Sequence, residues 1–170
     1  TPTANHNVLN IFPGEHYIVY KEGNNLDPEQ SKIKGTTQAG GSVACLGVDS
    51  LIQLGCKPIF LTGQDCAFAG KRYYSKHTQF NQKLFPRISG VSQLNKLHKE
   101  KFYEKITLEV MSTNGTKIVT DQVMYSYLRN LEEIANEHKK TKIYNLCSQG
   151  AGLEGIQPVH SISELSRWFL

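Results

Sequence analysis

One stretch, residues 40 to 67, constrains this chain more than any other. It reads Gly40-Gly41-Ser42, an apolar run from Val43 to Leu54, Gly55, then Pro58-Ile59-Phe60-Leu61-Thr62-Gly63-Gln64-Asp65. The order predicts loop, helix, strand, loop. Ser42 carries a hydroxyl that can accept from first-turn helix amides. Gly55 stands where a helix ends on a left-handed residue. Val43, Ala44, Leu46, Val48, Leu51, Ile52 and Leu54 cover more than one helical face, which predicts a buried helix. Ile59, Phe60 and Leu61 are continuous, the pattern of a strand covered on both faces of a parallel sheet. A helix antiparallel to the strand it feeds starts at the edge where that strand ends. Gly41-Ser42 and Gly63-Gln64-Asp65 are therefore expected at one sheet edge, where open α/β sheets bind ligands.

The remaining elements fit the same class. Val8 to Phe12 and Tyr17 to Tyr20 read as short strands, and residues 24–41, rich in Asn, Asp, Pro, Gly, Gln and Thr, as a long loop. Residues 106–111 alternate, Thr113-Asn114-Gly115 follows, then residues 116–119, which predicts a β-hairpin near 106–119. Thr120 is expected to cap a helix starting at Asp121, with Met124, Tyr127, Leu128, Leu131, Ile134 and Ala135 as its apolar stripe and Glu132 and Glu133 facing outward. Lys142 to Leu146 is the next strand, and Ser161 to Glu164 opens a final helix that packs Leu165, Trp168 and Phe169. The fold class is α/β, Rossmann-like, a mostly parallel sheet flanked by helices.

At 170 residues the chain suffices for a single domain with a real core. With 39% hydrophobic and 20% charged residues it is not a disordered chain. No apolar run approaches the roughly 20 residues of a membrane span, and no basic segment followed by an apolar one opens it. A cytoplasmic protein without a membrane partner is expected, and Thr1 in place of Met suggests an excised domain or a fragment. Net charge is +4, and residues 70–105 hold nine Lys or Arg against two Glu, an excess of seven. Residues 66–105 thus read as a basic irregular insertion, either a solvated face or a flap over an acidic ligand. No aromatic-plus-basic module marks a nucleic-acid binder. Cys45, Cys56, Cys66 and Cys147 show no metal-ligand spacing and read as buried free thiols. No Ser-His-Asp set, Walker loop or His-Glu-x-x-His occurs, so neither a hydrolase nor a P-loop kinase is supported.

Taken in order, G-G-S-V-A (40–44), L-G-C-K-P-I (54–59) and G-Q-D-C-A (63–67) resemble the core domain of the motility-associated-factor family. Those bacterial proteins are linked to glycosylation of flagellin and are similar to archaeal hydroxymethylpterin diphosphokinases. The resemblance covers about residues 16–165, the later part of the family domain. It lacks the family's upstream G-x-G-P-S-L segment. Where relatives carry a G-K-T-H-like segment, this chain has Gly70-Lys71-Arg72-Tyr73, with His77 nearby. Asn145, Gly150, Ala151 and Gly155 match the family's N-x-x-E-G-G-A-x-I-x-G, while Gln149 stands where an acid is common.

The resemblance implies a glycosyltransferase that moves a nucleotide-activated nonulosonic acid of sialic, pseudaminic or legionaminic type onto Ser or Thr hydroxyls of flagellin or another acceptor protein. It makes Asp65 the catalytic candidate, with Gly41, Ser42, Gly63, Gln64, Asp121, Gln149, Gly150 and Glu154 binding the substrate or nucleotide sugar. Asp65 could hold Mg2+ bridged to phosphate. Two alternatives stay open: a non-catalytic module that binds nucleotide sugar or flagellin, and a pterin diphosphokinase-like enzyme using ATP.

Overall fold

A computed structural model describes residues 6–23, 28–38, 40–68, 96, 107–147 and 149–166. It forms two compact units, Thr1–Cys56 and Lys57–Leu170. The expected basic insertion lies almost wholly outside the described residues, as do Tyr73, His77, Trp168 and Phe169.

The first unit carries helices α1 (His6–Ile11), α2 (Pro28–Lys34) and α3 (Val43–Gln53). Two strand expectations fail here. The first apolar run is helical, and Tyr17 to Tyr20 forms no strand. A strand persists only with a neighbour to pair with. Beyond Tyr20, the pairing is one parallel bridge, Lys21 with Thr37, backed by Thr37 N donating to Tyr20 O at 2.8 Å. The expected long loop also contains α2. Pro28 suits a first helical position, and Glu29 and Lys32 with Lys34 match the helix dipole at each end.

Helix α3 is capped as expected: Ser42 Oγ accepts from Ala44 N at 3.1 Å, and Gly55 takes a φ of +78°. It is not buried all round. Cys45, Val48 and Asp49 are buried, whereas Val43 and Leu54 are 85% and 78% exposed. The buried Asp49 sits on the inward face with its carboxylate paired. Its Oδ2 accepts from Gln38 N and from Gln53 Nε2, each at 2.8 Å, and so clasps the preceding segment to the helix.

The second unit is mixed α/β. Strands β1 (Ile59–Thr62), β4 (Ile143–Leu146) and β5 (Gln157–Val159) form a parallel sheet in the order β1-β4-β5. Strands β2 (Thr107–Met111) and β3 (Lys117–Asp121) form the expected antiparallel hairpin. Its Asn114-Gly115 turn closes on Ser112: Asn114 Oδ1 accepts from Ser112 Oγ at 2.5 Å and Thr116 Oγ1 at 2.7 Å. β1 alternates, with Ile59 and Leu61 buried and Phe60 half-buried. Phe60 stacks on Tyr144 of β4, ring centroids 5.2 Å apart. Among the described residues β1 is also an edge of this sheet rather than its centre, because β5 adds to β4 on the far side.

Helix α4 (Gln122–Glu137) starts one residue later than expected. Asp121, not Thr120, is its N-cap, with Oδ1 accepting from Met124 N at 2.8 Å. Leu128, Leu131, Ile134 and Ala135 are buried as the 3.6-residue period predicts. Glu132, expected outside, is buried. Its Oε2 accepts from Arg129 Nη1 at 2.6 Å and its Oε1 from Glu154 N at 2.8 Å, so the charge goes inside with both oxygens paired. Where the final helix is expected to open, Ile162–Leu165 is a 3-10 turn without a side-chain cap from Ser161 to the backbone, and residues 167–170 lie outside the described residues.

Candidate functional site at the strand ends

Parallel pairing puts the ends of β1 and β4 side by side, Thr62 opposite Leu146. The loops that follow are stitched together. Ala151 N donates to Asp65 O at 2.8 Å. Asn145 Nδ2 donates to Gln64 O at 3.0 Å. The hairpin joins them: Thr113 N donates to Gly150 O at 3.0 Å and Gly152 N to Met111 O at 2.8 Å. The start of α4 is tied in as well, since the buried Thr120 Oγ1 donates to Cys66 O at 2.7 Å and Phe68 N to Val119 O at 2.8 Å. The turn after β1 needs left-handed backbone twice, at Gly63 (φ +71°) and at Cys66 (φ +48°). The second is a non-glycine in a sparsely populated region, a state that surrounding bonds must hold in place. The Thr120 hydroxyl supplies one such bond.

Asp65 is exposed at the centre of this cluster. Its Oδ1 accepts from the buried Cys147 Sγ at 3.2 Å, and Sγ in turn accepts from Gly150 N at 3.0 Å. Burial pushes the Cys147 thiol up from its ordinary pKa, and its hydrogen bond to the Asp65 carboxylate pushes the same way. Backbone N–H groups of Gln149 and Gly150 pull down against them. A thiol kept protonated is a donor to Asp65, not a nucleophile. Gly150 is required by space: a Cβ there would meet Cys147 Sγ at 2.4 Å, Asp65 O at 2.7 Å and Asp65 Cα at 2.8 Å.

No family model, curated protein or solved structure matches this chain. The site therefore stands on its own geometry. Gly63, Gln64, Asp65, Gln149 and Gly150 lie in the two joined loops, and Asp121 caps the helix tied to them, its carboxylate buried. Glu154 is placed differently. It lies beyond that edge, in the turn into the start of β5, and lines a hollow with Lys142 and Ile143 at the start of β4. Gly41, with φ +73°, and the cap Ser42 belong to the first unit, and the cluster of the second unit is built without them.

Sequence reasoning missed three participants. Cys147 and Asp65 are 82 positions apart, and no local pattern announces such a pair. Glu132 was hidden by its charge. Gly150-Ala151-Gly152-Leu153-Glu154-Gly155 has the G-x-G-x-x-G spacing, which the sequence reading wrongly takes to be absent. It leads into β5 rather than into a helix, so it lacks the helix N-terminus on which a dinucleotide pyrophosphate rests.

Among the described residues, no group of three or more His, Cys, Asp or Glu is placed to hold a metal ion. The donor set at the strand ends is one exposed carboxylate. That suits Mg2+ only in its usual mode, one protein carboxylate with water and substrate phosphate oxygens completing the shell. Among the described residues of this unit, two buried side-chain atoms have no hydrogen-bond partner, Thr113 Oγ1 and Asn145 Oδ1. Each such atom costs about 1–3 kcal/mol when left unpaired.

Proposed function

We propose that the joined loops after β1 and β4 bind the phosphate-linked part of a nucleotide-activated nonulosonic acid, and that the protein transfers the sugar to Ser or Thr hydroxyls of an acceptor such as flagellin. The finer reading of the fold as Rossmann-like, and of the chain as a motility-associated-factor relative, belongs to the same proposal. The observation that carries it is the Ala151 N to Asp65 O hydrogen bond at 2.8 Å. It holds together, at the carboxyl ends of two parallel strands, the two loops that the motif order singles out, and such an edge is where α/β sheets take ligands. Asp65 is the exposed acid there and keeps its position through Cys147. When bound, Mg2+ would neutralise charge on the leaving phosphate. Asp65 itself would hold that ion or orient the acceptor hydroxyl.

Two observations favour a second reading, a module that binds without catalysis. Asp65 Oδ1 is engaged by a thiol, and Gln149 is neutral where the resemblance expects an acid. Incubating the chain with a CMP-activated nonulosonate, Mg2+ and flagellin, with calorimetry in parallel, separates the readings. Transfer supports the enzyme; binding without transfer supports the module. Neither binding nor transfer removes both.

A further inference from the structure

Four lysines of the second unit meet at the start of the parallel sheet, the end opposite the Asp65 loops. The register sets Ile59 opposite Ile143, and Ile59 N donates to Lys142 O at 3.0 Å. Lys57 and Pro58, leading into β1, therefore lie beside Lys142, which leads into β4. Helix α4 ends at the same place. Thr141 N donates to His138 O at 2.8 Å, turning the chain from the helix toward β4, and this turn contributes Lys140. Lys57, Pro58, Lys140 and Lys142 line a hollow of about 240 Å3. A neighbouring hollow shares Lys142 and adds Lys139. All four lysines are exposed. Among the described residues, none of the four pairs with a carboxylate, and Glu154 is the one acid lining either hollow. Lys139 and Lys140 offset the negative end of α4. Lys57 and Lys142 sit at strand starts and have no such role. Like charges gathered on one edge repel, and an anion seated among them relieves the repulsion.

We propose that this edge docks an acidic segment of a partner protein, with one Asp or Glu side chain in the hollow of Lys57, Lys140 and Lys142 and a neighbouring acid on Lys139. Three features choose that occupant. The hollow is smaller than the pockets that bury small-molecule ligands, about 300–1,000 Å3, so it suits a side chain rather than a nucleotide. Its cations are all lysines, point charges without the guanidinium fork that grips phosphate bidentately. Among the described residues no aromatic side chain lines either hollow, so nothing there stacks a base as single-stranded nucleic-acid sites do. Pro58 and the lysine stems give the segment an apolar surface to lie on. The proposal goes beyond the transfer reading, because it uses no atom of Asp65 and holds whether or not the chain transfers a sugar.

The test is fluorescence anisotropy of a labelled oligoglutamate peptide with the full chain, beside oligoglutamine and an oligothymidylate of the same charge as the oligoglutamate. The triple variant Lys57→Gln, Lys140→Gln, Lys142→Gln removes the patch. Lys21→Gln, Lys32→Gln, Lys34→Gln takes the same charge from exposed lysines of the first unit. Oligoglutamate should bind saturably, more weakly as salt is raised, and oligoglutamine should not bind. Losing three exposed ion pairs should weaken oligoglutamate binding about ten-fold in the patch variant, and Lys142→Gln alone should weaken it about two-fold. The first-unit variant should bind like the wild type. The proposal is overturned if oligoglutamate does not saturate, if the patch variant binds like the wild type, or if the first-unit variant loses as much. It is equally overturned if oligothymidylate binds more tightly and loses that binding in the patch variant, which would make the edge a site for a phosphate backbone.

Discussion

Replacing Gly150 with Ala should strike fold and site together. The new Cβ would stand 2.4 Å from Cys147 Sγ and 2.7 Å and 2.8 Å from Asp65 O and Cα. The thiol can give way, but the Asp65 backbone is fixed by the Ala151 hydrogen bond and by the turn that follows. Overpacking of this kind costs about 1–3 kcal/mol. For a chain of this size each kcal/mol moves Tm by about 2–4 °C, so a fall of roughly 2–12 °C is expected. Urea unfolding of four proteins resolves the cause: wild type, Gly150→Ala, Cys147→Ala and the double variant. Removing Sγ relieves the closest contact and leaves the two backbone contacts. The double variant should therefore recover part of the loss, with a coupling of about 0.5–3 kcal/mol. If Gly150→Ala stays within about 0.5 kcal/mol of wild type, an ordinary surface change, the two loops are not packed as described. Full recovery in the double variant would refute the backbone part of the argument.

Other outcomes follow from single contacts. Asp121→Ala removes the α4 cap and should cost about 0.5–2 kcal/mol in urea unfolding. Of the four free cysteines only Cys56 is exposed, so Ellman's reagent should label one thiol fast and the other three at the rate of unfolding. Cys147 and Cys45 are both pushed up by burial. Their contribution to stability is full below the unfolded thiol pKa of about 8.5, and it fades as pH rises from there toward the folded values. Unfolding measured between neutral and alkaline pH should show that decline, with a shallower slope in Cys147→Ala. Glu132→Ala strips the partner from Glu154 N and Arg129 and should destabilise by about 1–3 kcal/mol in the same assay.

The elements that were legible in the sequence are those whose signal is local. The α4 stripe follows the helical period, the Asn114-Gly115 turn carries its own backbone preference, and Ser42 and Gly55 mark both ends of α3. What was not legible depends on partners. Val8 to Phe12 could not reveal that no strand would pair with it. Gln157-Pro158-Val159 hardly reads as a strand because Pro158 lacks an amide donor; it is tolerated because β5 is an edge among the described residues. Asp49 and Glu132 are buried charges, invisible until the amides that satisfy them are placed. At the site, the order of Gly63-Gln64-Asp65 and Gly150 was readable, but the Cys147 thiol that fixes Asp65 was not. Glu154 was named with the edge residues through the resemblance, whereas the chain has by then turned toward the start of β5.

Asp65→Asn tests the central claim most directly. An Asn oxygen can still accept from Cys147, so the ligand-free melting temperature should change little. The measurement is the rise in that temperature on adding a CMP-activated nonulosonate with Mg2+, in wild type and variant side by side. At a ligand concentration of about 100 Kd the wild type should gain roughly 2.7 kcal/mol, or roughly 5–11 °C, and Asp65→Asn should gain none. An equal rise in both proteins, or no rise in the wild type, would contradict the assignment of Asp65 and the strand-end loops as the ligand site.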